Sequence, residues 1–183
     1  MNFVEPIRDP EKVRDIANYL REQSKRNYLM YELGINTALR ISDIRRLRVV
    51  DVAGRDTISM KEKKTRKHRI ITLNSHIKVI IKECISPDAD HGDYLFQSRQ
   101  GVNQPLSRCQ AYRIIKNACA KFGVYNVGTH TLRKTFGYHF YRRYKDITQL
   151  QEILEHATPD YTLRYIGFNR ESIEKALKGF RIY

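Results

Sequence analysis

With 183 residues, 41% hydrophobic and 30% charged, the chain suits one globular domain and excludes both a disordered polymer and two large separate cores. Its 34 lysines and arginines against 20 aspartates and glutamates give a formal charge of +14, a field that favours a polyanion, most commonly nucleic acid, although ribosomal and membrane-surface proteins share it. No apolar run reaches membrane-spanning length, no secretory signal opens the chain, and Cys84, Cys109 and Cys119 form no CxxC pair, which argues against a membrane partner, a disulfide scaffold or a zinc site and makes a cytoplasmic location the expectation.

Asp9-Pro10-Glu11 reads as a helix start, with a capping aspartate and a proline in the first turn, and Val13, Ile16, Ala17 and Leu20 follow at helical spacing. A second helix is predicted from Ser24 through Leu33 toward Thr37, and Ser42 is the expected cap of a short third helix carrying Ile44 and Leu47. Thr57 to Met60 and Arg69 to Leu73 read as two strands joined by a densely basic connection. Helical periodicity returns at Ile77, Ile80 and Ile81 and stops at Ser86-Pro87-Asp88. Ser107 can cap a helix with Ala111, Ile114, Ile115 and Ala118 inward, ending near Gly123. Further helices are predicted over residues 129–144, 147–155 and 171–180, with Tyr165 in a short segment between the last two. The fold class is therefore mainly α with a small antiparallel β-hairpin, an α+β domain without repeats or an internal linker.

Several polar residues lie in settings that suit phosphodiester chemistry. Arg40 sits at a junction between predicted helices, where backbone amides and a guanidinium fork can share an anion, and Asp43 is close enough to orient it. Lys64 lies in the basic turn with Lys61, Lys63, Arg66, Lys67 and Arg69, a run suited to a DNA groove that does not by itself single out one lysine. His130 and Arg133 are three apart on one helical face. His156 falls at a helix end before Pro159, and Tyr165 follows nine positions later. Taken singly each has an ordinary reading: a surface ion pair, a solvated loop, a helix cap, or one of 12 tyrosines.

As a set they resemble the catalytic domain of the tyrosine recombinases, the phage-integrase and Xer-like family. Ala38-Leu39-Arg40-Ile41-Ser42-Asp43 is similar to the first-arginine box, Lys64 before Arg69-Ile70-Ile71-Thr72-Leu73 to the hairpin lysine, His130-Thr131-Leu132-Arg133 to the HxxR box, and Leu154-Glu155-His156 with Tyr165 to the second-histidine box and its nucleophile. The resemblance runs from the first helices to Ile166. It implies that Tyr165 attacks the scissile phosphate to form a 3′-phosphotyrosyl link. Arg40 and Arg133 would then hold the non-bridging oxygens with help from His156, Lys64 would protonate the leaving 5′-oxygen, His130 would accept the tyrosine proton, and Asp43 would brace Arg40. Lys134 and Arg164 join the basic turn as expected DNA contacts.

The same resemblance implies double-stranded DNA as partner, self-association on it as a dimer or tetramer, and no metal, ATP or other cofactor. Guanidiniums suit such a centre because they stay charged and match two phosphate oxygens at once. Two departures stand out. Glu155 occupies the place where the family usually has glycine, and 183 residues leave no room for the N-terminal core-binding domain that full-length members place before the catalytic one. Residues 167–183 form a helical tail, either folded on its own core or docked on a neighbouring protomer. The rival readings are a non-catalytic DNA-binding regulator on the same fold and a type IB topoisomerase.

Overall fold

Asp9 begins the first helix as the sequence predicts: its carboxylate accepts from the Glu11 amide at 2.8 Å, and α1 runs Pro10–Gln23 with Ile16, Ala17 and Leu20 buried. A computed structural model gives the fold for residues 4–61 and 68–182. Ser24 closes α1 and caps α2 (Lys25–Asn36), a helix buried on most of its surface. The third helix is a correction: α3 (Ile41–Ile44) is capped by Arg40 and not by Ser42, and a further short helix α4 (Val49–Val52) follows that periodicity was too brief to announce.

Strands β1 (Thr57–Lys61) and β2 (His68–Thr72) pair antiparallel with Ile58 opposite Ile71. Both of these isoleucines are buried, so the sheet lays one face on the core as alternation requires. Helix α5 (Ser75–Cys84) is capped by the Asn74 side chain, and α6 (Arg108–Lys121) opens with a reciprocal box in which Ser107 and Gln110 bond each other's backbone amides at 3.1 Å. Helices α7 (Thr131–Tyr144) and α8 (Ile147–Leu154) follow. The segment expected merely to hold Tyr165 is itself a helix, α9 (Pro159–Tyr165), capped by Thr158 with proline at its first position. Helix α10 (Phe168–Gly179) begins three residues before the predicted tail helix, and its Ile173 and Leu177, with Phe180 beyond its end, are exposed.

Two apolar clusters organise these elements. The larger joins α1, α2, α5, α6 and the sheet around Leu29, Met30, Tyr31, Ile58 and Phe96. The smaller gathers Ala38, Tyr138, Leu150, Leu154 and Ile166, with Tyr165 packed against it. Helix α7 touches both. A β-carbon on Gly34 of α2 would meet Leu132 Cδ1 at 2.4 Å, and one on Gly137 would meet Ile166 Cγ2 at 2.8 Å, so glycine is what permits both close approaches.

Candidate active site

The seam between the two clusters is where the polar residues converge. At the end of α2 the Thr37 hydroxyl returns to the Leu33 carbonyl, and the chain then turns through Ala38 in the left-handed region at φ 57°. That conformation costs a non-glycine residue about 1 kcal/mol. It points the Ala38 carbonyl at Arg133, whose Nη1 donates to it at 2.5 Å, while Nη2 donates to the Leu154 carbonyl at 2.7 Å. Arg133 is only 2% exposed. Its guanidinium therefore ties the Arg40 turn to the open carbonyl end of α8. Arg40 caps α3, and Asp43, in the first turn of that helix, is buried.

Beyond Leu154 the chain passes through Glu155 at φ 50° and ψ 45° before delivering His156. Its Nδ1 lies 3.1 Å from the Thr162 hydroxyl, which itself reaches the Thr158 carbonyl at 3.1 Å. The single hydroxyl proton of Thr162 serves one of these two acceptors; given to His156 Nδ1, it leaves Nε2 as a donor. The imidazole stands edge-on to Tyr161 and Tyr165, with centroids 4.8 and 4.7 Å away. Burial, then the Arg133 and Arg40 charges, pull its pKa down to about 4, so His156 is neutral at pH 7.

Tyr165 ends α9, with its Oη 3.3 Å from Nδ1 of His130, the residue that caps α7. Burial pushes the phenol up to about 12; Arg133 and Arg40 pull the other way, and a hydrogen bond from Arg133 adds to their effect. Tyr161 is 54% exposed and stacks on Tyr165 at 6.4 Å. Its ring packs edge-on to His156, whereas Tyr165 also brings its hydroxyl to His130, and that contact distinguishes Tyr165.

The structure thus brings Arg40, His130, Arg133, His156 and Tyr165 together. Lys63, Lys64, Arg66 and Lys67 lie outside the described residues. Lys61 is exposed at the end of β1 and Arg164 is exposed on α9. Arg69 donates through Nη2 to the Ile153 carbonyl, fastening the hairpin to α8. Lys134 is half-buried beside Arg133, with Nζ 2.8 Å from the Val4 carbonyl and 5.1 Å from the Tyr165 ring centroid. Thr162 and the Ala38 and Leu154 carbonyls belong to the site but carry no sequence signal, since a buried threonine and two peptide groups act through position alone. Among the described residues no group of three or more His, Cys, Asp or Glu side chains is placed to hold a metal ion, and no helix is long and apolar enough to cross a membrane.

A sequence model of the phage integrase family matches residues 8–171. The chain is 47% identical over 180 residues to the probable integrase/recombinase YoeC of Bacillus subtilis (strain 168), covering 98% of each. It is 28% identical over 170 residues to the tyrosine recombinase XerA of Pyrococcus furiosus, covering 92% of this chain and 59% of the longer relative. In three dimensions a XerA recombinase crystal structure superposes with a TM-score of 0.75 at 22% identity over 99% of this chain and 67% of that one. A XerH site-specific recombinase bound to its palindromic difH substrate after cleavage gives 0.72 at 22% identity, over 97% of this chain and 54% of that one. These superpositions establish a shared fold.

Proposed function

Because the chain belongs to the phage integrase family, we propose that it is a site-specific DNA recombinase that cuts and rejoins double-stranded DNA through a 3′-phosphotyrosyl intermediate. The observation that carries the proposal is the 3.3 Å contact between Tyr165 Oη and His130 Nδ1 beside Arg133. A phenol held near 12 is protonated at neutral pH, so attack needs a proton acceptor and a cationic frame.

In the proposed step the Tyr165 Oη–H bond breaks and its proton passes to His130 Nδ1. The Oη–phosphorus bond forms, and the bond from phosphorus to the 5′-oxygen breaks, with Lys64 protonating the departing 5′-hydroxyl. Arg40 and Arg133 stabilise the negative charge that accumulates on the non-bridging oxygens, and His156 adds a hydrogen bond through Nε2. Rejoining is the reverse attack by a 5′-hydroxyl, so one ester replaces another and no nucleotide cofactor is consumed. Asp43 braces Arg40, and Lys61, Lys63, Arg66, Lys67, Arg69, Lys134 and Arg164 supply the basic surface for the duplex.

The proposal includes self-association on DNA, with the exposed Ile173, Leu177 and Phe180 of the tail as the apolar face available to a second copy. It also includes a cytoplasmic site of action. A family match over most of the chain together with a near full-length recombinase relative favours this reading over a non-catalytic regulator.

A nicked duplex that traps the cleaved strand tests it. The expected result is a protein–DNA adduct that survives denaturing electrophoresis, is lost in Tyr165→Phe and is retained in Tyr161→Phe. Adduct surviving only in Tyr165→Phe reassigns the nucleophile. DNA binding without adduct in the unaltered protein leaves the regulator, and relaxation of supercoils without partner sites leaves the topoisomerase.

A further inference from the structure

The N-terminal segment grips the helix that carries the HxxR residues at several points. The Glu5 amide donates to the Asn126 carbonyl at 3.0 Å, the Ile7 amide to the Thr135 hydroxyl at 2.9 Å, and His139 Nε2 lies 2.9 Å from the Ile7 carbonyl. Val4 packs so closely on Gly128 that a β-carbon there would lie 2.3 Å from Val4 Cγ2. The strap ends in a Glu5–Arg8 ion pair at 2.5 Å, set against Gly167, two residues after the tyrosine. The Val4 carbonyl takes the Lys134 ammonium at 2.8 Å and fixes it over the Tyr165 ring, 5.1 Å from the centroid. A lysine serving only as a DNA contact has no need of this tether.

We propose that Lys134 is a positioning residue for the nucleophile: held by the N-terminal strap over the face of Tyr165, it steadies the ring and favours its phenolate during strand cleavage. The inference rests on the recombinase reading and deepens it. A cation over an aromatic face is attracted to a neutral ring, and the attraction grows when the ring gains negative charge. That gain appears only as Oη loses its proton to His130, so the interaction strengthens along the reaction coordinate, which is the requirement for acceleration.

Lys134 has Glu5 and Arg8 on the strap; burial lowers its pKa, Glu5 works against that and Arg8 with it. Tyr165 faces Arg133, Arg40, His130, His156 and Tyr161. The two arginines bind phosphate in the proposed step, whereas Lys134 lies over the ring face.

The test is single-turnover cleavage of the nicked duplex by the full chain from about pH 6 to pH 10, with DNA affinity measured separately. Lys134→Met is expected to cut about 10- to 100-fold more slowly at neutral pH, with the rising limb displaced upward by about one pH unit and affinity changed only about threefold. Lys134→Arg, which retains a cation, should restore most of the rate. An unshifted pH profile, or a loss of rate wholly accounted for by weaker DNA binding, overturns the proposal. So does failure of both Lys134→Met and Lys134→Gln to fold by circular dichroism while Lys134→Arg folds, since the residue is then structural. Absence of adduct in the unaltered protein instead defeats the recombinase reading itself, so the two failures are distinguishable.

Discussion

The two apolar clusters hold the active site in different ways. The larger is a many-sided core in which α2 is buried along most of its length, and it fixes the Arg40 turn by sheer packing. The smaller has five fully buried members among the described residues and sets Tyr165 and His156 on short elements, the seven-residue α9 and the break after α8. Arg133 is the joint, since its guanidinium ties the turn that leads into Arg40 to the carbonyl end of α8. The contrast teaches that the Arg40 side is anchored by burial, while the Tyr165 side depends on a few specific contacts.

Removing the joint should produce the largest effect. Arg133→Ala leaves the Ala38 and Leu154 carbonyls without this donor and removes a proposed phosphate ligand. It is expected to cost about 2–5 kcal/mol of stability by thermal denaturation and at least about 100- to 1000-fold in adduct formation. Arg133→Lys keeps the charge but not the fork, and should still cleave about 100-fold more slowly. A lysine variant with full activity would mean that charge alone, and not the bridge from the Arg40 turn to α8, is what the site needs.

The paired glycines sharpen the comparison from either side of α7. Gly34→Ala drives a methyl to 2.4 Å from Leu132 within the larger cluster and should destabilise by about 1–3 kcal/mol. Gly137→Ala meets Ile166 at 2.8 Å, the residue directly after Tyr165, and a smaller cost of about 1 kcal/mol is expected because its nearest obstacle is farther off than the 2.4 Å met at Gly34. Their order should reverse in the cleavage assay, where displacement of Ile166 moves Tyr165 and Gly137→Ala becomes the slower variant. The same order in melting temperature and in rate would show that the clusters act as a single body.

How much of this was legible beforehand depends on where the signal sits. Arg40, His130 and Arg133 lie in short local patterns, and the structure brings them to one place. The capped starts at Asp9, Ser24 and Ser107 were equally readable, because a capping side chain acts on amides two or three residues away. Helix α9 was missed although Thr158-Pro159 is a start signal, since seven residues are too few to display a period. Two further features were beyond reach. Alanine gives no hint that position 38 adopts a positive φ, and the tether on Lys134 comes from Val4, 130 residues away in sequence. Arginine is rarely buried, and nothing in the HxxR spacing announces that Arg133 is.

A pH series separates the clusters more gently. His156 is held near 4 in the folded chain, whereas an unfolded histidine titrates near 6.5. Between those values the unfolded chain takes up a proton that the folded one resists, so this group's effect is to lower stability as pH falls from about 6.5 toward 4 and to be flat above that window. Melting temperature followed from about pH 7.5 to pH 4.5 should therefore drop more steeply for the unaltered protein than for His156→Gln. Parallel curves would mean that the imidazole is not confined by the two tyrosines and two arginines as the smaller cluster suggests.

The smallest effect concerns the residue that departs from the family. Glu155 ends α8 at φ 50°, a conformation that glycine adopts without a β-carbon penalty. Its Oε2 is buried with no hydrogen-bond partner among the described residues, so the side chain adds polar burial to backbone strain. Against this, glycine loses more chain entropy on folding. The balance favours the substitution by about 0.5–1 kcal/mol, and Glu155→Gly should raise the melting temperature by about 2 °C. It also removes a negative charge next to His156, which should quicken adduct formation. A stability gain without a faster rate would assign Glu155 a purely conformational cost. A faster rate with no gain in stability would instead make its carboxylate a brake on the nucleophile side, retained by electrostatics and not by packing.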